Sequence, residues 1–321
     1  MTAEVTGAVI IGRNEGERLR ACLASLLPGM SAVVYVDSGS TDGSVALARA
    51  MGAEVLALDM SQPFTAARAR NAGFRRLQAL HRGLCFVQFV DGDCEVVEGW
   101  LEAGVQYLES HPDCAVVCGR RRERFPERSI FNRMCDLEWD TPVGDALSCG
   151  GDALFRIEAM VQTGGYRDDL IAGEEPELCL RLRCQGWRVH RLDHEMTRHD
   201  AAMTRWTQWW QRAVRSGHAF AEGTWLHGAS PERHWVRETM RAVAWGLLLP
   251  LGIGALALFV DPRSGWLALI YPAQWLRLSI RDRSAAMAFF TLAGKFAEAQ
   301  GVLKFCLNRL LGRSGRLIEY K

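Results

Sequence analysis

The chain is 321 residues long, enough for one large domain or two smaller ones, and 49% of it is hydrophobic. Its 38 Lys and Arg stand against 37 Asp and Glu, a net charge of +1, which excludes a globally basic nucleic-acid binder and confines any polyanion contact to a local patch. The ten cysteines include no C-x-x-C pair, so their spacing gives no structural zinc motif and they read as reduced, mostly buried thiols.

The first residues, MTAEVTGAVIIGRNEGE, lack the basic start and long apolar core of a secretory leader, and the first domain is expected in the cytosol. Residues 1 to about 225 alternate strands with helices. Gly7–Gly12 (GAVIIG) reads as a strand, and Leu19, Cys22, Leu23, Leu26 and Leu27 then recur at helical spacing up to Pro28-Gly29. Ala32–Val36 is the next strand, closed by a loop of turn formers and helix caps from Asp37 to Gly43. Glu54–Leu58 follows a helix stopped by Gly52, and a long helix from about Phe64 to His81 leads into the strand LCFVQFV. Short buried strands alternating with helices predict an α/β fold with a mostly parallel sheet covered on both faces. Such sheets bind ligands beyond the carboxyl ends of their strands, where Asp37 and Asp91 fall.

Asp91-Gly92-Asp93 sets two carboxylates at the end of a buried strand. Carboxylates do not stay ionised in a dry core, no neighbouring run of sequence is basic enough to neutralise them, and a divalent cation with an oxygen-rich partner does so. The pair can offer its oxygens to one ion, or to an ion and a ribose. Further on, Glu174, Glu175 and Glu177 open a helix whose apolar face is Leu178, Cys179 and Leu182. The helix dipole favours acids there, and the Gly173-Glu-Glu-Pro176 turn is expected to aim one of them at the cleft. His194 and His199 follow the strand-like WRVHRL, and one of them is a candidate to complete a metal shell.

From Thr204, the residues Trp206, Trp209, Trp210, Ala213, Val214 and Gly217 share one helical face, and Arg205, Gln208, Arg212 and Arg215 share another. This predicts an interfacial helix over about 204–222, with Trp at headgroup level and the basic face, Arg212 included, meeting phosphates of lipid or donor. Ala242–Val260 is 19 residues without a charge, close to the roughly 30 Å hydrocarbon thickness at about 1.5 Å per residue. Trp245 and Trp266 suit the interface, and Arg233, Arg237 and Arg241 precede the run. The further apolar runs Ser264–Leu276 and Ser284–Gly294 are too short to span. Basic residues on both sides place both flanks in the cytoplasm. The expected division is therefore a catalytic domain over 1–225 and a membrane hairpin or re-entrant pair of helices over 226–321.

The segments VIIGRNEGERLRACLASLL, VVYVDSGSTDGS, AARARNAGF, FVDGDCEVVEGWLE, GGDALFRIEAMVQTGGY and GEEPELCLRLRCQGW resemble, in order, the successive blocks of family 2 glycosyltransferases with the GT-A fold. The resemblance spans roughly residues 7–200. It implies an inverting transfer from a nucleotide-diphospho-sugar, typically a UDP-sugar, with a divalent cation, Mn2+ or Mg2+. By position it assigns Asp37 to the base, Glu15 to the vicinity of base and ribose, and Arg70 to the uracil or diphosphate. It assigns Asp91 to the ribose or metal, Asp93 to the metal, and Asp152 of Gly150-Gly-Asp to the segment lining the donor sugar. It also places the general base at Glu175, with Glu where Asp is commoner, and favours His199 over His194 beside the metal or diphosphate.

With the C-terminal segment, the implied partners are membrane lipids and a lipid-linked or saccharide acceptor at the cytoplasmic face of the inner membrane, and no nucleic acid. Gln208-Trp-Trp-Gln-Arg212 departs from the Q-x-x-R-W of processive synthases and argues against polymer extrusion. Two other classes remain in comparison. A catalytically inactive membrane scaffold that binds nucleotide is opposed by the intact Asp37, Asp91, Asp93 and Glu175. A nucleotidyl- or phosphotransferase ranks low because GRNEGERLR lacks G-x-x-x-x-G-K-[ST].

Overall fold

The computed structural model describes residues 5–312. The start of the stretch read for a leader, 1–4, and the end of the C-terminal segment, 313–321, lie outside the described residues. The chain divides into two compact units, 1–204 and 205–321.

The first unit is built on β1 (Thr6–Gly12), β2 (Ala32–Asp37), β3 (Glu54–Ala57) and β4 (Phe86–Asp91), all mutually parallel, in the order β3-β2-β1-β4. The strands β1, β2 and β4 are buried almost end to end, as expected of strands covered on both faces. They are joined through α1 (Glu17–Leu26), α2 (Ser44–Ala50) and α3 (Ala66–Leu80). Leu19, Cys22, Leu23 and Leu26 form the buried stripe of α1, and Thr65 caps α3 by accepting from the Arg68 amide. The close seating of α3 on β1 and β2 needs Gly73, where a Cβ would lie 2.4 Å from Val9 Cγ1 and 2.8 Å from Val36 Cγ2.

Beyond β4 the sheet departs from the mostly parallel expectation and becomes mixed. The strand β8 (Ala153–Arg156) runs antiparallel to both β4 and β6 (Cys114–Glu123). The long β9 (Arg188–His199) pairs with β6 in parallel and with β5 (Cys94–Val96) antiparallel, and β7 (Gly144–Asp145) adds to β9 antiparallel. The physical reason lies between β6 and β8: the connection through α5 (Ile130–Glu138) and β7 re-enters the sheet at the end where β6 left it, and without a crossover to the opposite end β8 must run antiparallel to β6. The helices α4 (Trp100–Ser110), α6 (Ile157–Thr163) and α7 (Glu174–Cys184) complete this unit. Registers slip in the β6–β9 pair at Cys118/Arg120 and again at Arg120/Arg121, and such irregularities re-aim side chains.

The second unit is helical: α8 (Trp206–His227), α9 (Val236–Val243), α10 (Leu249–Phe259), α11 (Ile270–Asp282) and α12 (Ala285–Leu310). The unit begins at Arg205, twenty-one residues before the expected start at 226, because α8 packs against α12 rather than belonging to the sheet unit. The tryptophan face of α8 is thereby spoken for: Trp209 meets Phe290 edge-on at 5.0 Å, and Trp210 Nε1 donates to Gln300 Oε1. This replaces the expectation of a free face at headgroup level, although Trp206 stays exposed. The two helices cross at Gly217 and Gly301, where an added Cβ would strike the Glu298 and Val214 carbonyl oxygens at 2.0 and 2.1 Å.

One helix among the described residues is long and apolar enough to cross a membrane: the 24-residue rod Val236–Phe259, which contains an 18-residue stretch of mean hydropathy 2.1. Pro250 sits inside it, and a π turn at Ala244–Leu248 just before it accommodates the missing amide and the ring. Leu248, Leu251, Leu258 and Phe259 of this rod lie exposed.

Candidate active site

The carboxyl ends of the parallel strands meet in register, Gly12 beside Asp37 and Ile11 beside Asp91. Asp37 is buried and spends its oxygens on its own loop: Oδ2 accepts from the Gly39 and Ser40 amides at 3.0 Å, and Oδ1 accepts from the Tyr35 hydroxyl at 3.2 Å. The loop after β1 is latched to this one by Asn14, whose Oδ1 accepts from the Thr41 and Asp42 amides while its own amide donates to Ser40 Oγ. Glu15, in the same loop, pairs with Arg18 at 2.8 Å, and its Cγ lies where a side chain on Gly12 or Gly92 would stand.

Two arginines from distant parts of the chain, Arg70 buried and Arg121 half-buried, enter the acidic cluster. Arg70 of α3 bridges Asp91 (Nη2 to Oδ1, 2.8 Å) and Glu174 (Nη1 to Oε1, 2.7 Å). Arg121 of β6 pairs with Asp152 at 2.7 Å. Burial alone pushes the Asp91 carboxyl up, but Arg70 and Arg121 outweigh it and hold it below the usual carboxylate range. Both guanidiniums are held firmly charged by these acids. The sequence expectation that no base neutralises the aspartates thus holds only for near neighbours; the fold brings two.

Asp152 is fully buried. Its oxygens accept from the Asp91 amide at 3.1 Å and the Thr197 hydroxyl at 3.0 Å, besides Arg121. It therefore holds the end of β4 in place, and the donor-facing position expected of it is corrected to a supporting one: a carboxylate with no exposed surface cannot touch a ligand directly. Arg70 is 3% exposed and is bonded to two carboxylates.

Asp93 and His199 come together from β4's end and the end of β9, His199 Nε2 lying 3.4 Å from Asp93 Oδ2. Asp93, Cys94 and His199 offer ligand atoms within 4.8 Å of one another. His194 lies apart from this group, its Nδ1 bonded to the Glu195 carbonyl. Trp139 meets His199 edge-on at 4.9 Å and carries the Arg121 guanidinium over its ring.

Gly173 in the left-handed region (φ 78°) turns the chain into α7 and delivers Glu174 and Glu175 in its first turn. Their environments differ. Glu174 is neutralised by Arg70. Glu175 is buried, and its Oε1 accepts from the Cys149 amide at 2.6 Å and from the Cys149 and Cys179 thiols at 3.0 and 2.9 Å. Burial is the dominant influence and raises its pKa above the ordinary 4.5, against the lowering effect of those donors. Arg212 belongs to α8 of the second unit.

Residues 8–145 match the family model for glycosyl transferase family 2. The matched segment resembles a family 2 glycosyltransferase domain. Succinoglycan biosynthesis protein ExoA of Rhizobium meliloti (strain 1021) is 25% identical over 292 residues, 86% of this chain and 83% of ExoA. Among solved structures, mannosyltransferase PcManGT from Pyrobaculum calidifontis, in complex with GDP-Man and Mn2+, has a TM-score of 0.65 at 20% identity, over 94% of this chain and 87% of its own. S. aureus TarS 1-349 has a TM-score of 0.52 at 14% identity, over 96% and 92%. The likeness to these structures is one of fold, the GT-A fold.

The residues of this cluster and its surroundings that sequence reasoning missed are Arg121, Cys149, Trp139 and Glu123. Arg121 stands in a run of three arginines that reads as a solvated strand edge, and only the register slips of β6 turn it inward. Glu123 accepts from Asn132 Nδ2 and the Phe125 and Ala201 amides and lies 3.9 Å from His199 Nδ1. An acid ending a predicted strand, the rule that found Asp37 and Asp91, would have found it had β6 been read.

Proposed function

We propose that this glycosyltransferase moves a sugar, with inversion, from a nucleoside-diphosphate sugar to a saccharide or lipid-linked hydroxyl at the cytoplasmic face of a membrane, with Glu175 as general base. The observation that carries the reading is a charge balance: Asp91, Asp93, Asp152 and Glu174 converge on Arg70 and Arg121. Four carboxylates against two guanidiniums leave two negative charges, the complement of a divalent cation. The carboxylate oxygens fit one, since such donors suit Mn2+ or Mg2+. Asp93 and His199 would hold it, with Asp91 beside them; when bound it neutralises the leaving diphosphate.

The remaining roles fall to the chain itself. Asp37 and Glu15 line the end of the cleft for the base and ribose. Asp152, Arg121 and Arg70 fix the aspartates. Glu175 is anchored to the backbone of the segment just before Gly150-Gly-Asp152 and has no cation to quench its basicity. It takes the proton of the acceptor hydroxyl as that oxygen attacks the anomeric carbon. Glu174 is instead committed to its ion pair with Arg70. The succinoglycan function named for ExoA supports a saccharide acceptor. The exposed apolar rod Val236–Phe259 supports membrane attachment.

The test is thermal unfolding of the full chain against UDP- and GDP-sugars with and without Mn2+. Binding at about 100 times Kd stabilises by about 2.7 kcal/mol. A metal-dependent shift with one donor class, lost in Asp93→Asn, is expected; no shift with any nucleotide sugar refutes the reading.

A further inference from the structure

Beside the acidic cluster lies a second group of different chemistry. Cys149 precedes Gly150, while Glu175 and Cys179 are one turn apart on α7 and so share a face. All three are buried, Cys149 8%, Glu175 5% and Cys179 0% exposed. The two Sγ atoms are 3.6 Å apart, and each lies about 3 Å from Glu175 Oε1, at 3.0 and 2.9 Å. These atoms form a compact triangle, within 4.8 Å of one another. Tetrahedral zinc with Zn–S bonds of about 2.3 Å holds two sulfurs about 3.8 Å apart. The sulfurs therefore already stand at close to the edge of such a tetrahedron.

We propose that Cys149, Glu175 and Cys179 form a binding site for a thiophilic divalent cation, zinc(II), separate from the oxygen-rich site at Asp93. Softness divides the two: thiolates select zinc, whereas carboxylate oxygens suit Mn2+ and Mg2+. Both thiols lose their protons and the carboxylate enters already ionised, so each zinc ion gained releases two protons to solvent and leaves the group with one net negative charge. In the metal-free chain the thiol protons do the same structural work, donating to Oε1. Occupancy withdraws the Glu175 carboxylate from proton transfer; this consequence rests on the proposed base, whereas the site itself does not.

The probe is cobalt(II), added to the full-length protein in the presence of saturating Mg2+. One cobalt per chain is expected, with thiolate-to-cobalt charge-transfer absorption and the strong visible bands of tetrahedral coordination, displaced by zinc. The absorption should persist in Asp93→Asn and Cys94→Ser, which exclude the neighbouring Asp93–Cys94–His199 group as its source, and vanish in Cys149→Ser and Cys179→Ser. A pH-stat titration of the wild type with zinc needs no variant and should release at least two protons per ion. Absence of the charge-transfer band, its survival in both cysteine variants, or a release below two protons overturns the site. Zinc bound at the thiols with sugar transfer unchanged would leave the site standing and instead overturn the assignment of Glu175 as base.

Discussion

Arg70→Met tests whether the acidic cluster is held together by charges brought from afar. The guanidinium is buried between Asp91 and Glu174, whose side chains are 30% and 12% exposed. Removing one partner of a buried ion pair costs about 3–5 kcal/mol, because the remaining charge is stranded. Asp91 has enough surface to regain water, so Glu174 dominates the penalty and the lower end, about 3 kcal/mol, applies here. With a urea dependence of about 1–3 kcal/mol per molar, the midpoint should fall by about 1 M or more. The double variant Arg70→Met/Glu174→Gln removes the stranded charge and should recover about 1–2 kcal/mol. The loss should also change with pH. Arg70 helps hold Asp91 below its ordinary value, so its stabilisation is present above that value and fades as pH falls through the lowered one; the wild-type advantage shrinks accordingly in acid. Detergent-solubilised full-length protein, followed by circular dichroism across urea, is the assay. A midpoint within about 0.3 M of wild type, or a double variant no better than the single, would refute the reasoning.

Glu175→Gln should lower single-turnover transfer by about two orders of magnitude or more with donor Kd within a few-fold of wild type; near-normal turnover together with loss in Glu174→Gln would move the base by one residue. Because burial raises the Glu175 pKa, wild-type transfer, measured with a zinc chelator present, should rise with pH through a value above 4.5. Its ionisation should also cost stability over the same window relative to Glu175→Gln; identical pH profiles in the two proteins count against this. Asp37→Ala should weaken nucleotide binding by roughly 1.5–3 kcal/mol, the worth of a charge-assisted hydrogen bond, and equal affinities would dismiss its role. Leu251→Arg with Leu256→Arg places two charges on the apolar rod at about 2.5–3.5 kcal/mol each, and flotation with vesicles should fall accordingly; wild-type protein that stays soluble without detergent would end the membrane proposal.

The strands and helices up to β4 were legible because parallel strands buried on both faces write themselves as uninterrupted apolar runs, as GAVIIG and AVVYV do. The antiparallel half was not. Ala153–Arg156 is four residues following Gly150-Gly-Asp, too short for a periodicity, and its direction depends on where α5 returns the chain. The α8 face was read correctly as amphipathic, yet periodicity does not say what covers an apolar face: Gly294, Gly301 and Phe290 lie some eighty residues further on. Asp37, Asp91 and Asp93 were legible from one rule, acids at strand ends.

Arg70 and Arg121 show why the site as a whole was not legible. A carboxylate announces itself in an apolar strand because it is out of place there, whereas an arginine on a helix or in an Arg-rich strand is unremarkable until folded. Local charge therefore overstated the need for a metal: adjacent sequence gave aspartates with no counter-ion, and the fold supplies two guanidiniums. What remains is a narrower and stronger argument, since the cluster is short of two charges rather than four. The same logic separates Glu174 from Glu175. They are neighbours in a helix's first turn, equal by sequence, but one faces Arg70 and the other faces two thiols and a backbone amide. Burial raises the Glu175 pKa and outweighs the lowering effect of its donors. The pair is thus divided by environment into an acid paired with a guanidinium and one held among neutral donors, and the Arg70→Met/Glu174→Gln stability cycle and the Glu175→Gln turnover test probe the two halves of that division independently.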